Sequence, residues 1–173
     1  MKMVSALCFV LLLAVMLSCA PSSAQASSLL LVAAEAVTAT PQPCLQWIPP
    51  STPIGLNVDA EVQVSSPVAE AMNAGQVKVF FFQANRKTRN LFYCQGVQQA
   101  HDGNGLVSQQ LTLGNPNNPA GAIGQTFDVR IIVSRDSTAF DCAGGSTYSA
   151  AELPSPDTTL CPTPLTISIV RTN

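Results

Sequence analysis

From residue 56 the chain alternates: Leu56, Val58, Ala60, Val62 and Val64 are apolar, and Asn57, Asp59, Glu61 and Gln63 between them are polar. A period of two marks a half-buried β-strand with its acids in water. Residues 76–83 (Gln-Val-Lys-Val-Phe-Phe-Phe-Gln) are rich in β-branched and aromatic side chains and predict a second strand. Residues 91–94 (Leu-Phe-Tyr-Cys) predict its hairpin partner. Further strands are expected over 106–113, 126–134 and 165–171. One helical turn fits 67–72, ahead of Asn73-Ala74-Gly75. Asn-Gly within Asp102-Gly103-Asn104-Gly105 supplies the two positive φ values of a type I′ hairpin turn. No stretch has amphipathic helical length, so the expected fold is all-β: an antiparallel β-sandwich or barrel of about six to seven strands, disulfide-stabilised. Its predicted core is Val79, Phe81, Val129, Ile131, Val133, Ile167 and Ile169.

Upstream of residue 56 the pattern changes twice. Lys2, an apolar run over 4–17 and Ala24-Gln25-Ala26 together predict a secretory signal over residues 1–26, too short for a bilayer span. Cys8 and Cys19 leave with it. Residues 27–54 hold an apolar patch (29–34) and then Pro41, Pro43, Pro49, Pro50 and Pro53, which forbid a continuous helix or a central strand. They predict an extended arm, leaving 55–173 as the sandwich domain. Trp47 in that arm has two uses, packing onto the body or stacking on a sugar.

After the signal, 7 basic and 10 acidic residues remain, with a single His101. That balance argues against a nucleic-acid binder, and one imidazole excludes His-cluster metal sites. Four cysteines remain as well, Cys44, Cys94, Cys142 and Cys161. In an oxidising compartment an even number reads as two disulfides, with three connectivities open. The preferred pairing is Cys142 with Cys161, closing a Pro/Ser/Gly-rich loop, and Cys44 with Cys94, pinning the arm to a central strand. Without a CxxC pair, a zinc site is not expected. No other cofactor is implied.

Catalytic motifs fail one by one. In an EF-hand alignment of the Asp102 turn, Ala100 and Leu111 fall where oxygen ligands belong. Gly144-Gly145-Ser146-Thr147 is not a nucleophile elbow. His101 with a serine and Asp136 or Asp141 makes a triad only on paper. No N-x-[ST] sequon is present. The concentrated charge is Arg86-Lys87-Thr88-Arg89, at the expected hairpin tip in an otherwise acidic protein. Such a tip is either a solvated surface or a finger for an acidic polysaccharide, a lipid headgroup or an acidic partner, with Tyr93 nearby for stacking.

Ile54-Gly55-Leu56, Asn73-Ala74-Gly75-Gln76-Val77-Lys78-Val79, Asp102-Gly103-Asn104-Gly105 and the 129–133 strand followed by Cys142 resemble the plant secreted family of Ole e 1-like pollen proteins and phylloplanins. The chain departs from that family at Ala60 and at Phe81 or Phe82, near places where the family has cysteines. The resemblance implies a transthyretin-like β-sandwich and a non-enzymatic protein of the plant surface or cell wall, with defence against microbes among its themes. It transfers no catalytic residue. The expected function is therefore extracellular binding, with Arg86, Lys87, Arg89 and Tyr93 as the ligand-binding set and acidic cell-wall polysaccharide or a microbial surface as partner. Neither nucleic acid nor a stable membrane span is expected. Three alternatives use other surfaces: a protease inhibitor presenting the 114–124 or 142–161 loop, a hydrolase with an unrecognised site, and a coat protein assembling through the face of Phe80 and Phe82.

Overall fold

A computed structural model describes residues 42–114 and 122–173. The expected signal over 1–26, the 29–34 patch and most of the 114–124 loop lie outside the described residues. Eight strands and one helix follow in the order β1 (Leu45–Ile48), β2 (Asn57–Val64), α1 (Ser66–Asn73), β3 (Lys78–Ala84), β4 (Leu91–Gln98), β5 (Leu106–Thr112), β6 (Thr126–Ser134), β7 (Thr147–Ser149) and β8 (Leu165–Val170). They form two antiparallel sheets, β1-β2-β5 and β7-β4-β3-β6-β8. The all-β expectation holds, with two short strands added.

β1 lies between Pro43 and Pro49 and, among the described residues, pairs only with β2, from Leu45 opposite Val64 to Ile48 opposite Glu61. The prolines permit an edge strand, where missing donors face away from the ladder. The expected arm thus contributes to the sandwich, and Trp47 packs half-buried against its core.

Alternation in β2 buries Val58, Ala60, Val62 and Val64 against Val79, Phe81, Val129, Ile131, Val133 and Ile169, all from the predicted core; Ile167 packs partly buried at the margin. The helix closes this core with Val68, Ala71 and Met72. Its stop is a Schellman motif: Gly75, at φ 67°, donates to Met72 O, and Gln76 N donates to Ala71 O.

β3 is buried on both faces, which is why its apolar run has no alternation. Phe80 and Phe82 point away from the main core. They form a second cluster with Ala84, Phe92, Cys94 and Ile132, covered by Phe140, Cys142, Tyr148 and Leu153. Phe140 meets both phenylalanines edge-on, at centroid distances of 5.6 and 5.2 Å. The face read as a surface for coat assembly is therefore internal, because the 135–153 segment folds across it.

The disulfides are Cys44–Cys161 and Cys94–Cys142, which corrects the preferred pairing. The five-stranded sheet stands between the two sets: Cys44 and Cys161 belong to the main core, Cys94 and Cys142 to the outer cluster. A bond from Cys142 to Cys161 would have to pass through that sheet. Cys161 is held in place by Asp157. The Asp157 backbone N–H donates to Val133 O, its carbonyl accepts from Cys161 N, and its carboxylate accepts from Thr159 N (3.0 Å) and Leu160 N (2.8 Å). Arg135 adds an ion pair.

The Asp102 turn also differs from expectation. Gly105 takes φ 80°, while neither Gly103 nor Asn104 takes the positive φ of a type I′ turn. β4 and β5 lie in different sheets, so the segment crosses between layers rather than joining hairpin partners. Asp102 Oδ1 organises it, accepting from Asn104 N (2.9 Å) and Leu106 N (2.6 Å). Gly105 then offers its carbonyl to Val64 N, and a Cβ there would meet Gln63 Nε2 at 2.9 Å.

Candidate binding site

Pairing of β3 with β4 runs to Ala84 opposite Phe92, and the six residues between the strands form the tip. Asn85 builds it. Its backbone N–H donates to Leu91 O, its carbonyl accepts from Arg89 N, and Oδ1 accepts from Lys87 N (2.9 Å) and Thr88 N (3.3 Å). An asparagine side chain bonding to backbone two and three residues on is an Asx-type turn. Within it Arg89 adopts φ 53°, the single positive φ at a non-glycine residue among the described residues.

Register with β6, in which Gln83 faces Val129, places the tip beside the start of that strand. A cavity of about 260 Å³ results, with Asn85, Arg86 and Arg89 on one side and Gln125, Thr126 and Asp128 on the other. Arg86 is fixed at its edge: Nη1 donates to Gln125 Oε1, and the guanidinium carbon lies 5.5 Å from the centroid of the Phe127 ring. Asp128 Oδ1 accepts from Ser168 Oγ at 2.6 Å. Among the described residues, the side chains of Lys87 and Arg89 make no hydrogen bond or ion pair.

The four residues expected to bind are thus divided. Arg86 and Arg89 meet around the cavity; Lys87 stays exposed at the tip. Tyr93 lies outside the lining and accepts from Asn85 Nδ2 at 2.8 Å, so its hydroxyl braces the turn. Gln125, Thr126 and Asp128 were not singled out by sequence, since about forty residues separate them from the hairpin and nothing local marks them. Asn85 did carry a signal, the turn chemistry of Asn before a charged loop.

A second, larger groove of about 500 Å³ lies at the start of α1, lined by Gln63, Ser65, Ser66, Glu70, Asn73 and His101 among others. The His101 ring is clasped there: Nε2 faces Ala69 O at 3.2 Å and Nδ1 faces Asp102 O. Among the described residues no three His, Cys, Asp or Glu side chains are grouped to hold a metal ion, and no helix is long and apolar enough to cross a membrane.

No protein-family model, curated protein or solved structure matches this chain.

Proposed function

We propose that the protein acts outside the cell by binding, with the β3–β4 tip engaging an acidic polysaccharide of a cell wall or microbial surface. The carrying observation is three cations, Arg86, Lys87 and Arg89, on an exposed tip whose backbone is held by Asn85, in a chain of net charge −2. A rigid cationic projection concentrates a polyanion at one place while the rest of the surface repels it. The resemblance to Ole e 1-like proteins and phylloplanins suggests the setting, a secreted plant surface or wall protein with a role in defence. A triad centred on His101 is disfavoured, because both ring nitrogens face backbone carbonyls and neither is turned toward a serine as a base would be.

Retention on pectin and on cellulose across a salt series tests this reading. Pectin should retain the protein at low salt and release it as screening shortens the reach of the charges, to roughly 10 Å at 0.1 M. Cellulose should not retain it. Replacing Arg86, Lys87 and Arg89 together by Ala should abolish retention, and Lys87→Ala with Arg89→Ala, which spares the contact of Arg86 with Phe127, should weaken it. Failure to bind pectin, or binding unchanged in both variants, overturns the proposal.

A further inference from the structure

We infer that the cavity between the β3–β4 tip and the start of β6 is a subsite for one hexuronate unit, a sugar ring bearing a single carboxylate. This inference rests on the binding role proposed for the tip and names the ligand class that the tip selects.

Three observations carry it. The first is Arg89. A left-handed φ of 53° is strained for a side chain with a Cβ, and glycine or asparagine would occupy it at lower cost. Strain kept at one residue is a pointer to function, and here it fixes the root of a long cation at the cavity. The second is Arg86, whose guanidinium is oriented by Gln125 and by the Phe127 ring before any ligand arrives. Preorganised arginines suit a planar carboxylate, which can accept two parallel N–H bonds. The third is Asp128 on the opposite wall, beside Thr126 and Gln125. A carboxylate there opposes a dense anion such as a sulfate ester or phosphate, yet accepts hydrogen bonds from hydroxyl groups. Discrimination of this kind needs a repulsive element as well as an attractive one. A ring with one carboxylate and several hydroxyls satisfies both walls. The volume, about 260 Å³, lies just below the range for drug-sized ligands and fits one ring better than a chain. Neighbouring units of a polymer would then run over Lys87.

The test uses the full chain, with tri-galacturonate, its fully methyl-esterified form and dextran sulfate as probes in calorimetry and in competition against pectin. Tri-galacturonate should displace the protein from pectin, and the methyl ester should bind at least tenfold more weakly. Arg89→Gly should weaken tri-galacturonate binding at least tenfold while the thermal midpoint stays level or rises, an outcome that a purely structural role for Arg89 would not give. Asp128→Asn, which keeps the contact with Ser168, should erase the preference for the uronate over dextran sulfate. If pectin retains the protein but dextran sulfate displaces it as well per charge, and Asp128→Asn changes nothing, the subsite is refuted and the charged tip alone survives. If no polyanion is retained, the binding role itself falls, and the subsite with it.

Discussion

Asp157 shows how one side chain can carry more than its charge. Its carboxylate is almost wholly buried, whereas Arg135, its ionic partner, is 54% exposed at the side chain. An ion pair with one member in water contributes little. The N–H groups of Thr159 and Leu160 contribute more, because removing their acceptor leaves donors without partners. Asp157→Ala should therefore cost about 1–3 kcal/mol, and Arg135→Ala less than about 1 kcal/mol, in urea denaturation. Equal costs would return the weight to the ion pair. In sequence, Asp157-Thr158-Thr159 lacks the glycine of an aspartic-protease loop and so marks no catalytic site; only the fold brings it under β6.

At the scale of elements, the strands that were legible are those with a pattern. β2, β3, β4, β5, β6 and β8 lie within two residues of their expected starts, and the core face of β2 is legible residue by residue. The strands that were missed are β1, four residues between prolines, and β7, three residues without alternation. Disulfide pairing was illegible for a different reason. It depends on which face of the five-stranded sheet each cysteine occupies: the 135–153 segment carries Cys142 over the outer face, and the Asp157 turn sets Cys161 in the main core. The tip was legible by charge, its opposite wall not at all. The pairing found has a measurable weight. The bonds span 117 and 48 residues, and chain-entropy arguments give about 4–5 kcal/mol for loops of that size. Cys44→Ser with Cys161→Ser, and separately Cys94→Ser with Cys142→Ser, should each lower stability on that scale in denaturant. Peptide mapping without reduction should join Cys44 to Cys161, and a Cys142 to Cys161 peptide would refute the arrangement.

For the whole molecule, five carboxylates act together in acid. Asp157 is held below the usual carboxylate range chiefly by the Leu160 N–H, Asp102 by the Leu106 N–H and Asp136 by the Thr138 hydroxyl. Asp141 is lowered chiefly by the Ser146 hydroxyl and Glu152 by the Ser149 N–H. A lowered value in the folded state means that the unfolded chain binds more protons as the pH drops. The stabilisation is thus complete above the usual range of about 3.9–4.3 and is lost as pH falls through the lowered values. Thermal midpoints should fall below about pH 4; a flat profile down to pH 2 would contradict these hydrogen bonds.

The cover over Phe80 and Phe82 is fastened to the sheet at two places, by the bond from Cys142 to Cys94 and by the pairing of β7 with β4. With that bond open, the three-residue pairing of β7 with β4 would be left to hold the cover, and each opening would bring Phe80 and Phe82 into water.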